Sequence, residues 1–351
     1  WTYMRMKYTG GRAQQEKGRR KMVDEQLKKE WLESVGTEEA PFALEENADL
    51  LRRLRKPEGK IDAVLDTDTY NEIDDQYALA YMINSDEKIN LEAIYAAPFT
   101  NCKSDGPRDG MEKSYEEIRH VLRLMDREDL MDRVFRGSGE YLPDEKTPVI
   151  SEAAKDLADR AMHYTRENPL YVVAIAAITN VASAILLRPE ITQRIVLVWL
   201  GGNALDWPNN REYNLYQDIA GARVIFECKV PLVQLPCMGV VSAFTVSGPE
   251  LKAHLKGRNP LCDYLVDFTE KEALACGGGR TWSRPIWDVT AVGWLLDGDL
   301  MSDRIEYAPL PEYDNRYSQR KNSHFYKYVY YINRDNLLED LVKKLTRQEK
   351  R

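Results

Sequence analysis

Four aspartates crowd one short stretch of the chain, D-T-D-T-Y-N-E-I-D-D over residues 66–75, which holds Asp66, Asp68, Asp74 and Asp75 just after the run I-D-A-V-L (61–65). Carboxylates packed this closely in a low-dielectric setting repel one another strongly. A cation among them relieves that repulsion, and all-oxygen ligands favour a hard ion, Ca²⁺ or Mg²⁺. Any one of these aspartates alone reads equally well as the N-cap of a helix at an acidic surface turn. Four together, directly after an apolar run, point to a metal or catalytic site.

The elements around them give the cluster its place. Ile61–Leu65 reads as a short buried strand, and Tyr77, Ala78, Tyr81 and Met82 then return at helical spacing. Strand-like runs follow at 89–97, 171–178, 194–200 and 230–235, separated by helical patterns near 112–126, 151–166, 180–188 and 217–228. This alternation predicts an α/β fold, an open and mostly parallel sheet with helices on both faces. In such sheets ligands bind beyond the carboxyl ends of the strands. The residues found there are the aspartates, then Asn101, then Thr179 and Asn180, then Gly201, Gly202 and Asn203 with N-N-R-E-Y-N (209–214). Asn and Gly are ordinary turn formers taken singly. Together with the acidic cluster they describe a polar pocket suited to a hydroxyl-rich ligand such as a sugar. Further on, Pro285 is expected at the start of a helix over 284–296, with Asp288 near its positive end. A strand pattern at Phe325–Ile332 and a helix near 336–347 complete a structural tail.

At 351 residues, with 43% hydrophobic and 30% charged content, the chain can bury a large core. The net charge of −8 argues against nucleic acid as the main partner, and no run is apolar and long enough to span a bilayer. Five scattered cysteines without a C-x-x-C pair fit reduced thiols and a cytoplasmic location. Residues 1–60 read as an N-terminal extension with amphipathic helices near 22–35 and 47–56, ahead of one α/β domain over 61–351. Its first 21 residues carry seven Lys/Arg against one Glu, the composition of an arm rather than a core.

The ordered motifs resemble those of the nucleoside hydrolase family, the inosine–uridine-preferring N-ribohydrolases. The family's opening D-x-D…D-D signature stands as Asp66-Thr67-Asp68 and Asp74-Asp75, and its T-N element as A-I-T-N-V-A (177–182). Gly201-Gly202, Glu212-Tyr213-Asn214 and Trp287-Asp288 follow in the family's order. The resemblance implies a Rossmann-type sheet with Ca²⁺ at the strand ends, held by Asp68, Asp75, the Thr179 carbonyl and Asp288. It implies Asp68 as general base for a water, and Asp74, Asn101, Glu212 and Asn214, with Asn209 or Asn210, as ribose-binding groups. The implied reaction is hydrolysis of the N-glycosidic bond of a small ribonucleoside by a homo-oligomer, a dimer or tetramer.

The chain departs from the family pattern in two places near the site. Trp287 stands where many members have His, so the obvious acid for the leaving base is missing, and the ring either stacks on the base or is a core aromatic. The turn Thr69–Ile73 is longer than the family's Pro-Gly turn, which brings Asn71 or Glu72 within range of the site. The family's His-Gly element is replaced by R-G-S-G-E-Y-L-P (136–143), and the four histidines fall outside the matched motifs. Two other readings compete: a catalytically weak ribose-binding relative, and a Mg²⁺-dependent D-x-D phosphatase. The second lacks the Gly expected after its nucleophile.

Overall fold

The structure, a computed structural model, describes residues 48–275, 279, 281–320 and 323–347. The helix expected near 22–35 lies outside the described residues; residues 48–53 are helical and precede the sheet. β1 (Ile61–Thr67), β2 (Ile89–Ala96), β3 (Val134–Arg136), β4 (Leu170–Ala174), β5 (Ile195–Leu200) and β6 (Leu232–Leu235) pair in parallel in the order β3-β2-β1-β4-β5-β6. Beyond β6 lie β12 (Phe325–Ile332), parallel to it, and β9 (Met301–Tyr307), antiparallel to β12. Two small ribbons are separate: β7 (Thr245–Ser247) with β8 (Ser283–Pro285), and β10 (Leu310–Pro311) with β11 (Tyr317–Ser318).

Because side chains alternate along a strand, a sheet covered on both faces sends successive residues into two cores. Ala63 and Leu65 of β1 and Val196 and Val198 of β5 enter one core. It is shared with α1 (Asp74–Ile83), α2 (Pro107–Leu124), α7 (Gly248–His254), α8 (Pro260–Ala275), α9 (Val289–Leu295) and α10 (Arg334–Leu345). Val64, Leu197 and Trp199 enter the other, against α3 (Glu152–Arg160), α4 (Thr179–Leu187) and α6 (Ile219–Glu227). The expected fold class is therefore the observed one.

Several boundaries differ from the sequence expectation, each for a local reason. The apolar run to Ile178 stops being strand at Ala174, because its partner β1 has run out: Ile175 N makes a last bond to Asp66 O at 2.9 Å. Pro285 does not open a helix. It ends β8, whose pairing with β7 continues as Ile286 N donating to Phe244 O at 3.0 Å, and α9 opens only at Val289 with Asp288 as its N-cap residue. The helix expected over 217–228 is split into α5 (Tyr213–Gln217) and α6 by Asp218, whose carboxylate accepts from Gly221 N at 2.7 Å as an N-cap. Edge strand β9, M-S-D-R-I-E-Y, was not expected, since its polar sequence protects an edge rather than filling a core.

α1 and α9 are buried along their whole lengths and pack together, so the first turn of one and the N-cap of the other meet over the end of β1. Trp294 of α9 is fully buried, and its Nε1 donates to Asp303 at 2.9 Å. Trp294→Ala is expected to cost about 3–5 kcal/mol of stability in urea unfolding. A loss below about 1 kcal/mol would show that α9 is not held by this packing.

Candidate active site

β1 ends at Thr67, and the chain turns at once: Asn71 N donates to the Asp68 carbonyl at 2.7 Å, and Asn71 Nδ2 reaches Asp68 Oδ2 at 3.2 Å. The longer turn Thr69–Ile73 is tied down from outside. Asn101 Nδ2 donates to Asn71 Oδ1 and Lys103 Nζ to the Asn71 carbonyl, each at 2.7 Å. Lys103 also pairs with Glu272, which holds Arg284 at 2.9 Å, and Arg284 lies 3.4 Å from Glu72. The turn therefore delivers Asn71 and Glu72 to the wall of a cavity of about 180 Å³.

The next helix places Asp74 and Asp75 in its first turn, where the helix dipole favours negative charge. Thr67 Oγ1 donates to Asp75 Oδ1, and Asp288 N donates to Asp74 Oδ2 at 3.3 Å. One carboxylate oxygen each from Asp74, Asp75 and Asp288 lie within 4.8 Å of one another. Asp74 Oδ1 is buried with no hydrogen-bond partner, an unusual state for such an atom. Asp68 lines the same cavity but is not a member of this triad.

The opposite wall comes from the loop after β5. Gly202 adopts φ +76°, and a Cβ there would stand 2.2 Å from the Tyr317 hydroxyl, so only glycine allows this turn. Asn203 follows it into the cavity wall, with Glu212, Tyr213 and Asn214 beside it. Glu212 accepts from the backbone N–H of Gly202 at 2.8 Å and of Asn214 and Leu215 at 2.9 Å, capping α5. Asn214 Nδ2 donates to the Leu200 carbonyl at 3.0 Å.

Burial governs the electrostatics. It pushes the Asp74 carboxyl up to about 7, with the Glu72 charge adding to the rise and Arg284 opposing it. Burial also lifts Asp68 well above the carboxylate range, aided first by Asp75 and then Asp74, and does the same to Asp75 and Asp288. Asp66 is raised to about 7 by burial, partly offset by Asn180 Nδ2 donating to Oδ1 at 2.8 Å. The donor set, all oxygen and overloaded with negative charge, fits a hard divalent cation.

The sequence profile of the inosine-uridine preferring nucleoside hydrolase family matches residues 63–328 of this chain. The chain belongs to that family. It is accordingly a hydrolase acting on the N-glycosyl bonds of nucleosides. A pyrimidine-specific ribonucleoside hydrolase of Citrobacter koseri is 22% identical over 249 residues, covering 62% of this chain and 78% of that protein. A plant nucleoside hydrolase structure superposes with a TM-score of 0.64 at 18% identity, covering 83% of this chain and all of that one. A purine-preferring ribonucleoside hydrolase from Gardnerella vaginalis gives 0.65 at 17% identity, covering 81% and 98%.

Measured against the residues expected from the family's motifs, the geometry is uneven. Asp68, Asp74, Asp75, Glu212, Asn214, Trp287 and Asp288 all line the cavity. Thr179 is buried at the start of α4 and is not among the lining residues; its hydroxyl donates to Asp218 Oδ2 at 2.6 Å, which bears on the side chain and not on the carbonyl expected as a ligand. Asn101 sits behind Asn71, and Asn210 holds the loop through Asn203 N at 2.8 Å; neither lines the cavity. Trp287 lines the cavity and also packs on the core. Cys237, Met238 and Arg211 also line the wall and were not singled out as site residues from the sequence. Cys237 and Met238 follow β6, so the strand-end rule reaches them, but their residue types carried no chemical signal.

Carboxyls held near 7 in the fold, against 3.8 in the unfolded chain, bind protons in the fold between those pH values. Their stabilising contribution is complete below about pH 4 and is lost as pH rises through 7. The metal-free protein is expected to melt at progressively lower temperature from pH 5 to pH 8. Added Ca²⁺ should raise the Tm more at pH 8 than at pH 5, and a calcium increment independent of pH would remove the carboxylate cluster as its origin.

Proposed function

We propose that this nucleoside hydrolase requires Ca²⁺ and cleaves ribonucleosides to free base and ribose at the cavity beyond β1 and β5. The observation that carries the reading is the buried triad Asp74, Asp75 and Asp288, with Asp74 Oδ1 left unpartnered inside a cavity otherwise lined by sugar-binding groups. Asp75 and Asp288 would hold the ion together with Asp74, whose carboxylate oxygen lies within 4.8 Å of one from each of them. When bound, the ion supplies charge that makes a water at the site more acidic.

Asp68 takes the proton from that water. Its Oδ2 is held by Asn71, which fixes the carboxylate and leaves Oδ1 for the transfer. Breaking the N-glycosidic bond builds positive charge on the sugar, as in other glycoside hydrolyses. Asp68, Glu212 and Asn214 surround the space where that charge develops, and Asn214 is oriented by its bond to the Leu200 carbonyl. No histidine lines the cavity. The base end is bounded by Trp287, whose face offers a stacking surface, and the base leaves with a proton from solvent. The relatives' names point to opposite base classes, so the chain's own wall of Trp287, Glu72 and Met238 sets its preference. Assembly as a homo-oligomer and residence in the cytoplasm belong to the same reading. They rest on the family resemblance and on Cys102, Cys228, Cys237 and Cys262 being free thiols. Among the described residues no helix is long and apolar enough to cross a membrane.

A panel of ribonucleosides assayed for base release, with chelator and after readdition of Ca²⁺ or Mg²⁺, tests this directly. Activity is expected to vanish with chelator and to return best with Ca²⁺; turnover unaffected by chelation would sink the metal requirement. Asp68→Asn is expected to lower kcat by about three orders of magnitude, within the range of a general base. Asp74→Asn should raise the Ca²⁺ concentration needed for half-maximal activity more than it raises KM at saturating Ca²⁺. The reverse pattern would return Asp74 to the ribose hydroxyls alone.

A further inference from the structure

The amino ends of the parallel strands, opposite the active site, hold a second and larger cavity of about 540 Å³. It opens where β5 begins, ahead of β6 at Lys229 and ahead of β12 at His324. The length of β5, six residues, separates it from the catalytic cavity by about 20 Å. Four cationic side chains line it, Arg53, Arg166, Lys229 and Arg320, against two carboxylates, Asp49 and Glu227.

The pairing among these groups is incomplete. Arg166 lies 3.6 Å from Asp49 and Arg320 2.8 Å from Glu227, which uses both carboxylates at the rim. Arg53 and Lys229 have no ion pair among the described residues. Arg53 is only 7% exposed; its Nη2 donates to the carbonyls of Thr192 at 3.1 Å and Ile195 at 2.8 Å, and its Nε has no partner. The Asp49 charge reaches Arg53 but does not offset its burial, which pulls the guanidinium down to about 10, and an unused donor adds to the cost. Two further buried polar atoms on the same wall, Ser323 Oγ and His324 Nε2, are also without partners. Lys229 reaches the cavity from a backbone at φ 60°, just after α6, a position where glycine is the unstrained residue. Strain of this kind persists where the side chain is needed or the surroundings enforce it.

We propose that this cavity binds a phosphate group, inorganic or carried by a small phosphorylated molecule. A tetrahedral dianion matches what is missing. It offers several acceptor oxygens to the Arg53 Nε, the Lys229 ammonium and the Ser323 hydroxyl at once, and guanidinium forks suit its geometry. The volume exceeds that of a bare phosphate, and Phe226 and Pro309 give part of the wall an apolar character, which leaves room for an organic body. The site shares no residue with the catalytic cavity and does not depend on the calcium reading.

Isothermal titration of the full chain with inorganic phosphate and with pyrophosphate tests the proposal. Chelator is kept present so that no metal-bridged anion at the aspartate cluster contributes. One equivalent is expected to bind with a sub-millimolar Kd. Lys229→Gly should weaken binding at least fivefold while leaving the Tm unchanged or raised, because glycine relieves the positive φ. Arg53→Lys keeps the charge but loses the fork, and is expected to weaken binding about tenfold. Lys343→Ala removes the same charge from a distant exposed position on α10 and should leave affinity as it is. Absence of binding, unchanged affinity in Lys229→Gly, or an equal loss in Lys343→Ala overturns the site.

Discussion

Mutual repulsion among buried carboxylates is the constraint around which this molecule is built. Asp66, Asp68, Asp74, Asp75 and Asp288 are each almost fully buried at one end of β1. Their charged forms are disfavoured first by burial and then, for Asp68, Asp75 and Asp288, by one another. A protein does not gain stability from such an arrangement, so the surroundings must hold it in place. Here they do so by hydrogen bonds of fixed direction: Asn180 on Asp66, Asn71 on Asp68, Thr67 on Asp75, and the Asp288 amide on Asp74. Asp66 and Asp74 are each left with a buried carboxylate oxygen that has no partner. The arrangement is thus short of positive charge at one point in space, which is where a divalent cation fits.

The fold supplies the rigidity this needs. Alternate residues of β1, β4 and β5 anchor two separate cores, so the ends of these strands cannot shift without disturbing both. The helices that carry the acids are equally constrained: α1 and α9 expose no residue to solvent. Placing Asp74, Asp75 and Asp288 at the starts of two buried helices gives each carboxylate a favourable dipole end and almost no freedom to move away.

Much of this was legible in the chain because two periodicities and one rule carry it. The alternation of short apolar runs with helical patterns implied a parallel sheet, and the rule that ligands gather at carboxyl ends led to Asp68, Asp75, Glu212 and Asn214. What could not be read was pairing across distance. Nothing near Asn101 or Asn210 in sequence shows that they brace Asn71 and Asn203 instead of facing the cavity. Lys103, Glu272 and Arg284 lie far apart in the chain, yet together they hold the longer turn. Pro285 misled because a proline before an apolar run suits a helix start as well as the end of an edge strand. Cys237 and Met238 lay at the expected end of a strand but without a polar atom to mark them.

The two departures from the family pattern turn out to be neighbours. The longer turn contributes Glu72, the missing histidine is Trp287, and Arg284 stands between them, 3.4 Å from Glu72 and 6.0 Å from the Trp287 ring. Arg284 is also held by Glu272, which holds Lys103, which holds the turn through the Asn71 carbonyl. An imidazole in place of the indole would shed much of the ring area that now faces the guanidinium, and a shorter turn would withdraw the carboxylate paired with it. The two changes therefore sit within one network. Glu72 and Trp287 of that network line the same cavity as the carboxylates. The same turn is tied to the carboxylate cluster, since Asn71 holds Asp68 Oδ2 and the Arg284 charge opposes the rise of the Asp74 carboxyl, so a change here reaches the acids.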